Sequence, residues 1–257
     1  MNHSIRRCLG LGLALFFGAS AIGVATSEDR YTKARLEMVE KQIKRRGVND
    51  EKVLAAMSLV PRHEFARDAW RPEAYDDKPL EIEHEQTISQ PYIVAFMTQL
   101  LELKGGEKVL EIGTGSGYHS AVLSRIAKQV YSMEIIPPLA HKAQRTLRRL
   151  GYLNVQVRIG DGYKGWPERA PFDAIVLSAA PPVVPEPLIE QLRIGGKMVV
   201  PVGSPGLQDL LVITRTATGH ERQKMEPVRM VPMTGEVQKV GKPPKKPPAP
   251  KPGPGRP

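Results

Sequence analysis

The sequence predicts an α/β fold built on a doubly wound, mostly parallel sheet, and three observations carry that prediction. From residue 107 onward, strand-like apolar runs alternate with helical patterns across short connections. The run Val109-Leu110-Glu111-Ile112 passes directly into Gly113-Thr114-Gly115-Ser116-Gly117 and then into a helical pattern. Such a strand–glycine turn–helix unit brings backbone and a helix N-terminus close to a ligand. Glu134 closes the next strand-like run, 21 residues after Gly113. An acid at that offset can accept both hydroxyls of a ribose and repels a 2′-phosphate.

The elements follow in order. Arg6-Arg7, an uncharged run from Cys8 to Ser27 and the small residues Gly23-Val24-Ala25 read as a secretory signal peptide cut after Ala25. The same 20-residue run is long enough to be a membrane anchor. Residues 28–60 read as helices, with Ala34, Met38 and Ile43 on one stripe and Val53–Met57 continuing it. Residues 61–91 have no clear period, yet Phe65, Trp70, Tyr75 and Leu80 require burial, so an ordered loop region is expected. A helix is expected over 92–103. Strands are expected at 107–112, 129–135, 154–159, 173–178, 196–202 and 209–215, and helices at 117–127, 138–150 and 185–192. A last strand, Val228–Pro232, is expected at a sheet edge. Residues 239–257 are rich in proline and lysine and are expected to be disordered. The domain reading is therefore 1–27 signal peptide or anchor, 28–103 a helical and loop region contributing to the site, 104–238 the ligand-binding α/β domain, and 239–257 a tail.

The charge of +10 is concentrated at the ends: Lys239–Pro257 carries six Lys/Arg and no acid, and Arg6 and Arg7 add two more. The body is close to neutral, which argues against a nucleic-acid-binding face. The single cysteine, Cys8, lies in the N-terminal segment, so a mature chain has no disulfide and no thiolate chemistry. The six histidines show no metal-ligand spacing, and there is neither a Gly-x-Ser-x-Gly nor a P-loop lysine. Hydrolase, phosphotransferase and metal-site readings lack their parts. His119 reads as a helix-surface residue.

The glycine spacing narrows the ligand. Gly113, Gly115 and Gly117 followed by Tyr118 make G-x-G-x-G, which departs from the G-x-G-x-x-G of dinucleotide sites. It points to a nucleoside without phosphates. Asp161 and Gly162 end the third strand, where an Asp can take the amino group of an adenine; a plain Asp-Gly turn fits equally. In Gln86-Thr87-Ile88-Ser89-Gln90-Pro91, Ser89 can cap the following helix, with Pro91 in its first turn. It can also offer its hydroxyl over the crevice.

These segments together resemble the protein-L-isoaspartate (D-aspartate) O-methyltransferase family. The resemblance rests on Val60-Pro61-Arg62-His63, Ala74-Tyr75-Asp76-Asp77-Lys78-Pro79-Leu80, Gln86–Pro91, Leu110–Tyr118, Gly160-Asp161-Gly162-Tyr163-Lys164-Gly165-Trp166-Pro167, Ala170–Ile175, Gly195–Gly203 and Val231-Pro232-Met233. Gln86–Pro91 is its most specific piece, and it covers roughly residues 34–235. It implies a class I methyltransferase fold, Rossmann-like with a seven-stranded sheet, behind an N-terminal helical extension. It implies S-adenosyl-L-methionine as methyl donor, S-adenosyl-L-homocysteine as product and no metal. The implied acceptor is the free α-carboxyl of L-isoaspartyl or D-aspartyl residues in damaged proteins and peptides. Methylation then permits return to L-aspartyl through a succinimide, which is protein repair.

By the resemblance Ser89 is the active-site serine. Ile88, Gln90, Pro91, Gly113, Thr114, Gly115, Gly117, Glu134, Asp161, Gly162 and Thr234 bind the donor. A monomer is expected, with membrane contact confined to residues 1–27. Two other readings stay open: a class I methyltransferase for another carboxylate, a small molecule or RNA, and a non-catalytic exported binding protein. The family is ordinarily cytoplasmic, whereas the N-terminus here reads as exported, periplasmic or membrane-anchored.

Overall fold

The structure, a computed structural model, describes residues 27–240. The signal or anchor reading of residues 1–27 and the disordered-tail reading lie almost wholly outside the described residues. No helix among the described residues is long and apolar enough to cross a membrane.

The N-terminal region is helical, as its stripe of apolar residues predicts. Helix α1 (Ser27–Met38) continues through a π-helical turn, Val39–Ile43, and a tight 3₁₀ turn that ends at Gly47. Helix α2 (Glu51–Leu59) starts at Asp50, whose carboxylate accepts the N–H groups of Lys52 and Val53 at 2.9 and 3.1 Å. Two N–H groups that would otherwise lack partners are thereby satisfied. Residues 61–90 are ordered around buried Phe65, Tyr75 and Leu80. They include a small hairpin, β1 (Leu80–Glu81) with β2 (Thr87–Ile88). Helix α3 (Pro91–Leu100) follows, and its Gln99 side chain accepts from the N–H groups of Asn49 and Asp50 at 2.7 and 2.9 Å. The start of α2 is thus tied to the end of α3.

The α/β unit comprises β3 (Lys108–Ile112), α4 (Tyr118–Ser124), β4 (Gln129–Glu134), α5 (Pro137–Arg149), β5 (Val155–Ile159), β6 (Phe172–Leu177), α6 (Glu186–Glu190), β7 (Leu192–Val202), β8 (Gln208–Arg215) and β9 (His220–Val228). The sheet has seven strands in the order β5-β4-β3-β6-β7-β8-β9. The first five are parallel, and β8 and β9 add on by antiparallel pairing. The strand order reverses direction between β3 and β6, where α/β sheets open a crevice at the carboxyl ends of their strands.

Period-two alternation divides the core. Val109, Val130, Ala174, Val176 and Val199 face the N-terminal helices, α4 and α5. Leu110, Tyr131, Ile175, Leu177 and Met198 face α6 and the segment around Trp166. Strands buried on both faces read as nearly continuous apolar runs, which is why β3, β4, β6 and β7 stand out in the sequence. Arg62, fully buried, fastens the loop region to α4: its Nε donates to the Ala74 carbonyl at 2.8 Å and its guanidinium lies 4.8 Å from the Tyr118 ring centre.

Two expectations are corrected. The edge strand is His220–Val228, not Val228–Pro232; Pro232 makes only an isolated bridge to Ala180. Its residues are mostly exposed and charged, with Lys224 paired to Asp209 at 2.9 Å across β8. Charged edge strands discourage further pairing and leave no apolar alternation to detect. His119 is not on a helix surface: all of α4 is buried between the sheet and the N-terminal helices.

Replacing Asp50 with Ala should remove about 1 kcal/mol from folding stability. A thermal melt should show a Tm about 2–4 °C lower, with ligand affinity unchanged because the cap lies on α2, outside the cleft.

Candidate active site

A cleft opens at the carboxyl ends of β3, β4 and β6, with about 790 Å³ of space including its open mouth. Of the residues singled out in the sequence, Ile88, Ser89, Gly113, Thr114, Gly115, Glu134, Gly162 and Thr234 line it together. Gly117, Gln90, Pro91 and Asp161 are not among its lining residues.

The glycine loop is built differently from a phosphate cradle. The Gly113 and Thr114 N–H groups both donate to the Met133 carbonyl, at 2.8 and 3.2 Å, and Gly117 N–H donates to the Thr114 carbonyl at 2.8 Å. Gly115 N–H donates to Glu134 Oε2 at 2.8 Å. These four N–H groups are thus engaged within the protein rather than directed at an anion. Gly113, Gly115 and Gly117 have φ of +95°, +53° and +89°, which explains glycine at all three positions. At Gly117 a side chain would also press on Leu147 of α5. Its part is helix packing.

Glu134 is the best-placed acid. It is buried, and its second oxygen accepts the Ile136 N–H at 3.0 Å. Both oxygens are oriented by backbone, and each keeps a lone pair to offer a ligand hydroxyl. Asp161 also has both oxygens engaged by backbone. Its Oδ1 accepts the Tyr163 N–H at 2.9 Å and its Oδ2 accepts the Glu236 N–H at 2.6 Å. It thereby holds the segment bearing Thr234 against the cleft. Gly162 lines the cleft itself, and a Cβ there would collide with Ile112.

Ser89 directly follows β2 at the mouth. It does not cap α3: the N-cap is Gln90, with no side-chain capping bond, and Gln90 Nε2 instead donates to Asp77 Oδ1 at 2.8 Å. Ser89 lines the cleft, and its hydroxyl lies 4.0 Å from Met230 Sδ.

A buried polar cluster at the floor of the cleft was not anticipated from sequence. Glu111, fully buried in β3, is hydrogen-bonded by the hydroxyls of Ser120, Ser132 and, at 3.4 Å, Ser178. Burial pushes its carboxyl up to about 7, against the pull of those hydroxyls and with a further push from Glu134. His119 touches Thr98 through Nε2 at 3.0 Å and Ser178 through Nδ1 at 3.2 Å, and burial lowers it to about 4. It is a neutral imidazole at physiological pH. The available signal was a lone acid inside an otherwise apolar strand. No group of three or more His, Cys, Asp or Glu that could hold a metal is found among the described residues.

Comparison with known proteins bears on this arrangement directly. A protein-family model described as protein-L-isoaspartate(D-aspartate) O-methyltransferase matches residues 33–238. The chain belongs to this family. It is 54% identical over 200 residues to the protein-L-isoaspartate O-methyltransferase of Gloeobacter violaceus, covering 77% of this chain and 98% of that protein. It is 54% identical over 211 residues to that of Syntrophus aciditrophicus, covering 81% and 97%. A solved protein-L-isoaspartate O-methyltransferase superposes with a TM-score of 0.72 at 30% identity, over 79% of this chain and 67% of that one. A Plasmodium falciparum relative, solved in complex with S-adenosyl-L-homocysteine, gives 0.67 at 25% identity over 78% and 98%. The fold is that of the class I S-adenosyl-L-methionine-dependent methyltransferases, and the chain is an enzyme of that class.

The raised Glu111 carboxyl has a measurable consequence. Its folded value of about 7 exceeds its ordinary 4.5. The stability it contributes is therefore full below about pH 4.5 and is lost as pH rises through about 7. Glu111→Gln should remove that loss: between pH 5 and pH 8 its Tm should fall several degrees less than that of the unmodified protein.

Proposed function

We propose that this protein is a repair methyltransferase that transfers a methyl group from S-adenosyl-L-methionine to the free α-carboxyl of L-isoaspartyl and D-aspartyl residues. The observation that carries the reading is that Ser89 lines the same cleft as Glu134 and the glycine loop. Family membership supplies the reaction class.

The residues present fit the donor. The Glu134 carboxylate, fixed by the Gly115 and Ile136 N–H groups, is placed to take both ribose hydroxyls. Gly113 and Gly115 line the cleft without a side chain, Gly162 makes space for Ile112 beside it, and Thr234 closes the wall that Asp161 holds. When bound, the donor supplies an electrophilic methyl group on a sulfonium sulfur.

The acceptor carboxyl has a pKa of about 3.5–4 and is ionised at neutral pH, so no general base is needed. His119, neutral and bonded to Thr98 and Ser178, has no proton to remove. The protein's task is to align the two reactants and exclude water, and such alignment accounts for several kcal/mol of barrier lowering. Ser89 offers its hydroxyl to the acceptor carboxylate and holds it on line. The neighbouring backbone amide nitrogen then attacks the methyl ester and expels methanol to form a succinimide, and water opens part of it to normal aspartyl.

Residues 1–27 precede the family match, and we propose that they direct the chain to or through a membrane. The mass of the mature N-terminus after cell fractionation tests this: an N-terminus beyond Ala25 supports cleavage and export, and an intact Met1 in the soluble fraction rejects both export and anchoring.

The functional test is a pair of peptides differing only in aspartyl versus isoaspartyl, incubated with methyl-labelled donor. Base-labile label on the isoaspartyl peptide alone is expected, and label on neither or on both rejects the reading. In the same assay Ser89→Ala should lower turnover at least tenfold while donor affinity changes less than threefold. Intact single-turnover chemistry with lost donor binding would contradict the role given to Ser89.

A further inference from the structure

A second groove begins where the donor cleft ends. Thr87, Ser89 and Val231 line both, so the two spaces share one wall at the catalytic serine. Beyond that wall the groove runs between α3 and the segment that follows β9. Its bed on α3 is apolar: Tyr92 and Phe96, one turn apart, stack with ring centres 5.6 Å apart and planes 7° apart, and Ile93 lies beside them. Met230 lines the same groove, its Sδ 4.0 Å from the Ser89 hydroxyl. Tyr92 is buried, but Ile93, Phe96 and Met230 are only half-buried.

The groove offers little net charge. The Arg46 guanidinium is stacked 3.5 Å from the Tyr92 ring centre and paired with Asp77 at 3.2 Å. It therefore serves as a cover for the ring more than as a free cation. Glu226 and Arg229, both exposed, oppose each other in sign at the rim. Half-buried apolar side chains in a charge-balanced groove gain most from an apolar side chain laid against them.

Methyl transfer also constrains the acceptor. With the donor in its cleft, the acceptor carboxyl must reach Ser89 from the other side, and its polypeptide must leave along a surface continuous with Ser89. We propose that this groove binds the polypeptide flanking the isoaspartyl residue, and that Phe96, Ile93 and Met230 select an apolar side chain next to the damaged residue. The proposal rests on the function proposed above and adds a specificity to it.

The test uses the full chain and isoaspartyl peptides of one length, with Leu or Gly placed in turn on each side of the isoaspartyl residue. At one of the two positions Leu should lower KM about tenfold relative to Gly, the effect of half-burying a leucine-sized side chain, with kcat within twofold. In Phe96→Ala that advantage should shrink to twofold or less. Ile93→Ala, a smaller deletion on the same bed, should reduce it in the same direction. Retained binding of S-adenosyl-L-homocysteine in each variant reports an intact fold. Equal KM for Leu and Gly at both positions, with methylation intact, overturns the groove's role and leaves the function standing. Undiminished preference in both variants also overturns it. Failure to methylate any isoaspartyl peptide overturns the function and this proposal with it.

Discussion

The two hydrogen bonds that the Glu134 carboxylate accepts, from Gly115 N–H and Ile136 N–H, are the constraint on which the site depends. They join the glycine loop after β3 to the entry of α5 after β4, across the crevice where the sheet changes direction. They hold the carboxylate in a buried position against backbone donors of fixed geometry. They also engage a loop N–H that a phosphate-binding loop would direct at its ligand. One interaction thus sets the loop's shape, the acid's orientation and the kind of ligand the cleft accepts.

The rest of the cleft is arranged around that fixed point. Asp161 holds the Thr234 wall by backbone hydrogen bonds. The hairpin of β1 and β2 brings Ser89 over the mouth. Beneath lies a fully buried glutamate whose carboxyl is shifted to about 7. A desolvated carboxyl at the floor of the cleft costs the folded protein stability as pH rises. Stability conceded at a functional site is a common pattern. The N-terminal helices take part because α3 begins at the Ser89–Pro91 turn and packs through Thr98 onto His119.

Much of this was legible in the sequence, for identifiable reasons. The parallel strands are buried on both faces, so Val109–Ile112 and Ala174–Leu177 read as apolar runs, and the glycine loop and Glu134 stand at fixed offsets from them. What escaped was whatever lacked a local signature. Strand β9 is an exposed, charged edge whose partner alone makes it a strand. His119 looked solvated because its immediate neighbours do not reveal that the N-terminal helices cover α4. Ser89 read equally as a helix cap until the structure assigned that place to Gln90. Asp161 stands at the strand end where the pattern places it, and its two oxygens also hold the Thr234 segment through backbone N–H groups.

The most direct measurement of the central claim is calorimetric titration of S-adenosyl-L-homocysteine into the unmodified protein and Glu134→Gln. The substitution keeps the shape and one acceptor oxygen but removes the charge and the paired geometry. If the carboxylate both shapes the loop and takes the ribose, affinity falls at least tenfold while the thermal midpoint moves by only a few degrees. An unchanged dissociation constant would show that the ligand is held elsewhere and would contradict the account.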